Sequence, residues 1–328
     1  MVKVAAIQVS ASPDPERNLR KAAQYLEVAS QRGASIACFP ELFAQPWLAN
    51  DGDPASRAHA QPVDGPLVAE VAALARRFGI GVVCPFFERA GDGIYHNSAA
   101  VVDSRGEIVG LYRKIHLPDI PNWREKAHFC PGDKGFPVQR VDGVRIGVQI
   151  GWDNFFPEGF RCLALAGAQV VFLPTAAAFA SQERWLAMAV SHAVANGLFV
   201  VRVNRVGSEA GLDFYGGSFA VRPDGELCTH PLGVAEGALV VDCELTDVER
   251  ARLAWPFLGD RRPRQYARVV GIEWGPDLLP EDESAPRTGG SIADSREAGA
   301  PPPREAACGI RSHGQPPSAE SPSSARAE

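Results

Sequence analysis

The residues of this chain best suited to chemistry are two acids, an amine, and a glycine placed where a reactive side chain is expected. Glu41 ends an apolar run in Phe39-Pro-Glu41, Lys114 follows Tyr112-Arg113, and Glu125 sits in Trp123-Arg-Glu-Lys126. Gly151 terminates the β-type run Ile146-Gly-Val-Gln-Ile150, and a helix-like stretch follows it. A strand–turn–helix outline of this kind commonly presents a nucleophile beside backbone N–H groups aimed at a developing oxyanion. Here the apex has no side chain. A carboxylate within hydrogen-bond reach can take a proton from a reacting group, and a fixed cation can face charge as it forms. Each residue also has a plain reading: Glu41 as a solvated loop acid, Lys114 as a surface charge beside Arg113, Glu125 as part of a polar run. Glycine adopts strained turn conformations at little steric cost, so the fold can persist without a side chain at 151. Its small size also leaves room for a water molecule or a bulkier ligand.

The elements that must position these groups follow from pattern. Val2–Val9 and Ser35–Phe39 read as strands, with a helix between them opened by Ser12-Pro-Asp-Pro-Glu16. Pro66–Phe78 has Leu67, Val71, Leu74 and Phe78 on one apolar face and stops near Gly79. Gly81–Phe87, Tyr95–Val102 and Glu107–Tyr112 are strands separated by Gly/Asp turns. Phe136–Val141 and Val144–Ile150 form a hairpin about Asp142-Gly143. Helices Pro157–Ala166 and Glu183–Asn196, the latter closed by Gly197, alternate with strands Gln169–Leu173, Leu198–Val203, Gly217–Arg222 and Leu239–Cys243. This mixture predicts a layered α/β fold. From Pro276 to Glu328 the chain is rich in Pro, Ser, Ala and Gly, with Leu278, Leu279, Ile292 and Ile310 its only large aliphatics. Residues 276–328 are therefore expected to be a disordered tail behind one domain, 1–275.

Composition narrows the function classes. The 328 residues are 45% hydrophobic and 22% charged, ordinary for a globular protein. A net charge of −6 gives no electrostatic case for nucleic acid. No apolar run suits a bilayer span, and the N-terminus reads as a strand instead of a signal peptide. Seven cysteines show no paired metal-type spacing, and Cys38, Cys84, Cys162 and Cys243 lie in apolar runs where reduced thiols are expected. A cytoplasmic protein without metal or cofactor is the expectation.

Four ordered segments carry a more specific signal: Phe39-Pro-Glu41-Leu-Phe43; Tyr112-Arg-Lys-Ile-His-Leu-Pro-Asp119; Glu125-Lys-Ala-His-Phe-Cys-Pro-Gly-Asp133; and Gly151-Trp-Asp-Asn-Phe-Phe-Pro-Glu158. With Tyr95-His-Asn-Ser98, Ala195–Arg205 and Trp255–Arg262, they make the chain resemble the carbon–nitrogen hydrolases of the nitrilase superfamily, closest to their N-carbamoylputrescine amidase group. The resemblance implies a four-layer α-β-β-α sandwich whose protomers pair into a homodimer or larger even oligomer. It implies Glu41 as base, Lys114 as oxyanion stabiliser, Glu125 as supporting acid and the Trp152 N–H as a second oxyanion donor. It places the family's cysteine nucleophile at Gly151. His116 and His192 are expected to orient loops or cap the core. Cys130 could replace the missing thiol only by approaching a carbonyl carbon within about 3–3.5 Å.

The ligand implied is a small amide, carbamoyl or nitrile compound. Trp123, Trp152, Asp153, Phe155, Thr175 and Phe179 are the candidate binding residues, although Asp153 equally suits structural hydrogen bonds. Members of the resembled group surround a cationic amine tail with an acid and aromatics. Arg202, Asn204 and Arg205 are expected to support the fold and the pocket wall. Three functions stay open: a ligand-binding or regulatory pseudoenzyme, a non-covalent catalyst using Glu41 and Lys114, or an N-carbamoyl-amine amidohydrolase inactivated by a Cys→Gly substitution.

Overall fold

Two-residue alternation along the strands decides the layers. In β1 (Val2–Gln8), Ala5 and Ile7 cluster with apolar residues of α1 (Pro15–Gln31) and α2 (Pro66–Phe78), while Val4 and Ala6 join a different core. The computed structural model describes residues 1–48, 54–179, 181–209 and 211–271. The expected disordered tail, 276–328, lies outside the described residues. Following β1 are β2 (Ile36–Cys38), β3 (Gly81–Gly91), β4 (Ile94–Val102) and β5 (Ile108–Arg113). A short hairpin of β6 (Asp119–Ile120) and β7 (Trp123–Arg124) precedes β8 (Gln139–Val141), β9 (Val144–Val148), β10 (Val170–Thr175) and β11 (Phe199–Asn204). A second hairpin, β12 (Val206–Glu209) and β13 (Leu212–Tyr215), leads to β14 (Phe219–Val221) and β15 (Gly237–Cys243).

One sheet has the order β15-β1-β2-β3-β4-β5, the other β14-β11-β10-β9-β8. Val4, Ala6, Val83 and Val101 of the first share a core with Ile146, Val148, Val170 and Phe172 of the second. On β10 the intervening Val171 and Leu173 cluster instead with α3 (Pro157–Leu165) and α4 (Gln182–Asn196). The result is an α-β-β-α sandwich. Local chemistry starts and stops its helices: Asp14 accepts from the Glu16 N–H with Pro15 behind it, and Gly79 and Gly197 close α2 and α4 at φ +62° and +56°.

Differences from the sequence expectation have local causes. β14 is shorter than Gly217–Arg222 because Gly216 and Gly217, each at φ +64°, break the extended chain before it. The unforeseen α5 (Thr246–Ala254) buries only Val248, so its polar sequence carries no apolar stripe to detect. Neither hairpin was foreseen, since strands of two to four residues are too short for alternation to register.

The loop after β2 has the most demanding geometry. Leu42 holds φ +51°, a conformation that costs a non-glycine residue of order 1–3 kcal/mol. Arg205, buried beyond the end of β11, secures it by donating to the carbonyls of Glu41 (3.1 Å), Leu42 (2.6 Å) and Gln45 (3.1 Å). Its other terminal nitrogen pairs with Glu209. Replacing Arg205 with Ala leaves Glu209 buried beside unanswered carbonyls, and a loss of about 3–5 kcal/mol in urea unfolding is expected. Arg205→Lys recovers only part, because one ammonium cannot reproduce the guanidinium fork. A loss below about 1 kcal/mol for the alanine variant would mean that the loop does not depend on this residue.

Candidate active site

The chemical groups meet where strands of both sheets end. Glu41 follows β2, Lys114 follows β5, Glu125 follows β7, and Gly151 opens a single turn after β9. The Lys114 backbone is fixed by its N–H to the Asn97 carbonyl (2.8 Å) and by the Gly132 N–H to its own carbonyl (2.8 Å). Gly132 has to be glycine: a Cβ there would lie 2.1 Å from the Arg113 carbonyl oxygen. Lys114 Nζ then donates to Glu41 Oε1 at 2.7 Å and to both Glu125 oxygens at 2.7 Å. All three side chains are at most 2% exposed. Asn97 Nδ2 ties the acids together, reaching Glu41 Oε1 at 2.7 Å and Glu125 Oε2 at 3.4 Å. The Ala176 N–H, just past β10, donates to Glu41 Oε2 at 3.0 Å.

This cluster sets its own protonation. Burial is the largest influence on Lys114 and opposes its charge, yet Glu125 and Glu41 outweigh it and hold the ammonium above the ordinary lysine range. Burial also dominates at Glu125, pushing its carboxyl from the usual 4.5 up to about 7; Lys114 opposes the rise and Glu41 adds to it. Burial and the charge of Glu41 thus favour the protonated form of Glu125 relative to a free carboxyl.

Gly151 stands against this cluster at φ +49°, in the left-handed region that suits glycine. The room expected at its missing side chain is not open. A Cβ there would fall 2.5 Å from Glu41 Oε2 and 2.9 Å from Lys114 Nζ, so the charged groups themselves fill the notch. The turn is fixed by Asp153, whose carboxylate accepts from the Ile150 N–H (2.9 Å), the Tyr112 hydroxyl (2.7 Å) and the His116 N–H (3.0 Å).

Over the cluster lies a cavity of about 450 Å³ with Glu41, Lys114, Glu125 and Gly151 on its floor. Trp123, Trp152 and Phe155 line it; Phe155 packs edge-on between Trp152 and Trp185, at ring-centroid distances of 5.0 and 4.9 Å. The other three candidate binding residues lie elsewhere. Asp153 is completely buried and occupied by the turn. Thr175 is also completely buried, its hydroxyl donating to Asn204 Oδ1 at 2.9 Å behind the wall. Phe179 is 53% exposed and packs near Tyr215, because its N–H pairs with the Asp213 carbonyl and leads it away from the cavity. His116 stacks on Phe156 and His192 on Phe160, neither lining the cavity. Cys130 does not line it either.

Several contributors were not singled out from sequence. Asn97 belongs to Tyr95-His-Asn-Ser98, the one signal that marked it. Ala176, Ala177 and Ala178 form a wall through small side chains and backbone, with Asn204 bonding Ala177 at both N–H (2.9 Å) and carbonyl (3.0 Å). Ser181, Arg184 and Trp185, around the start of α4, complete it. Among the described residues, no group of three or more His, Cys, Asp or Glu is placed to hold a metal ion, and no helix is long and apolar enough to cross a membrane.

Comparison with known proteins shows the family. A family model described as carbon–nitrogen hydrolase matches residues 3–253. The chain is 36% identical over 289 residues to an N-carbamoylputrescine amidase of Solanum lycopersicum, covering 83% of this chain and 96% of that protein. It is 33% identical over 281 residues to a citrullinase of Francisella tularensis, covering 82% and 98%. A carbon–nitrogen hydrolase structure from Helicobacter pylori superposes with a TM-score of 0.79 at 30% identity, covering 82% of this chain and 98% of the other. A Nesterenkonia amidase mutant carrying acrylamide added at its active-site cysteine superposes with a TM-score of 0.71 at 30% identity, covering 82% and 100%. With its sandwich and its buried acid–amine–acid cluster, the chain belongs to the carbon–nitrogen hydrolase family.

Proposed function

We propose that the cavity binds a small amide, carbamoyl or nitrile compound and that the chain lacks ordinary amidase activity, serving as a ligand-binding or regulatory pseudoenzyme. The observation that carries this reading is Gly151, which borders Glu41 and Lys114 on the cavity floor and offers nothing beyond its backbone. We assign it the place of the cysteine that bears the adduct in the Nesterenkonia relative. In this reading Glu41 keeps the position of the base, Lys114 and the Trp152 N–H that of the oxyanion partners, and Glu125 that of the supporting acid. A ligand carbonyl held at Lys114 is polarised, but no thiolate attacks it and no acyl-enzyme forms.

A second reading, hydrolysis or condensation without a covalent intermediate, draws on one feature. Glu41 Oε2 faces Gly151 and accepts only the Ala176 N–H among the described residues, leaving it able to take a proton from water.

Restoring the thiol tests the first reading. Gly151→Cys is expected to hydrolyse N-carbamoyl amines or ω-amides at least about a thousandfold faster than the native protein, provided the buried cluster withdraws to admit the new Cβ. Native turnover comparable to active amidases, abolished in Glu41→Gln, would replace the pseudoenzyme reading with the second one.

The proton on Glu125 supplies a further test. Below about pH 4.5 this carboxyl is protonated in both folded and unfolded chains, so it makes no difference to stability. As pH rises towards 7 the unfolded chain ionises it first while the folded one retains the proton, and stability falls. Between pH 5 and 8 the native protein should lose on the order of 3 kcal/mol more than Glu125→Gln in urea unfolding. Parallel stability curves for the two proteins would show that Glu125 holds no such proton.

A further inference from the structure

We infer that the far end of the ligand, away from the group held at Lys114, is anionic, a carboxylate above all, and is received by Arg184 at the cavity mouth. This rests on the reading of the cavity as an amide or carbamoyl site and specifies its ligand class. The acids that line the cavity are Glu41 and Glu125, and both are engaged by Lys114 and Asn97. A cationic tail, such as members of the resembled group hold, therefore meets no further acid among the described residues that line the cavity.

The opposite charge is present. Arg184, in the first turn of α4, lines the same cavity, is exposed, and makes no ion pair with any described residue. Its neighbour Glu183 is exposed and does not line the cavity. Behind the adjoining wall residue Trp185 lies Arg202, 1% exposed, its guanidinium 5.0 Å from the Trp185 ring and 5.1 Å from that of Tyr215. Arg202 also has no carboxylate partner among the described residues, and its Nε and one terminal nitrogen have no hydrogen-bond acceptor. Burial presses its pKa down to about 10, which still leaves it charged at neutral pH. Arg184 at the mouth, and Arg202 behind Trp185, thus bring to that side of the cavity two positive charges that no described carboxylate neutralises. Arg184 adds the directional part, since its planar fork can grip both oxygens of a carboxylate.

The test uses the native protein and three ureido compounds of equal chain length, ending in a carboxylate, an ammonium or a methyl group, with binding measured by titration calorimetry. The carboxylate probe is expected to bind at least about tenfold more tightly than the other two. In Arg184→Gln its affinity should fall to that of the methyl probe, and in Arg184→Glu the ammonium probe should become the tightest. Tightest binding of the ammonium probe by the native protein, or an undiminished carboxylate preference in Arg184→Gln, would overturn the inference. Equal binding of all three by the native protein would overturn it alone. Failure of all three to bind would overturn the amide and carbamoyl reading of the cavity, and this inference with it.

Discussion

An ammonium held between two carboxylates, out of water, is the interaction on which this structure depends. Desolvating three charged groups is costly, and each is tolerable only while the other two stay within hydrogen-bond reach. The carboxylates face one cation, so the cluster carries one negative charge too many until Glu125 is protonated. Such an arrangement is weak evidence for stability. It is stronger evidence for a site, since strongly shifted groups at the floor of a cavity are where chemistry is organised.

The surrounding framework supplies rigidity at backbone level. Arg205 grips the chain at Glu41, Asn204 grips the Ala176–Ala178 wall, and Asp153 gathers the turn at Gly151. Each is a buried polar residue answering main-chain groups of a loop next to a strand end. Because the acids, the amine and the wall come from separate strands, a shift in any one displaces the others.

Sequence showed much of this and missed the rest for identifiable reasons. The two sheets were legible because alternation in β1 and β10 assigns one face to helices and the other to the opposing sheet. Glu41, Lys114, Glu125 and Gly151 were legible because each sits in a distinctive string of residues. The cavity wall was harder. Ala176–Ala178 contribute through smallness and exposed backbone, which have no chemical signature. Asp153 and Thr175 have side chains that could greet a ligand, but buried partners already claim them. Phe179 follows Ala178 directly, yet a single main-chain pairing to Asp213 turns it outward; nothing in its local sequence announces that turn. Arg184 carries no local signature that separates it from any other polar residue of a helix.

The bond from Arg205 to the Glu41 carbonyl has a consequence for how the molecule is assembled. Its partners are 164 positions apart, so the clamp on the bend at Leu42 closes only when one sheet docks on the other. A nascent chain that has formed only its first five strands holds the acid but not the clamp that aims it. The aim of that acid therefore depends on a contact of high sequence separation, made only once β11 is in place.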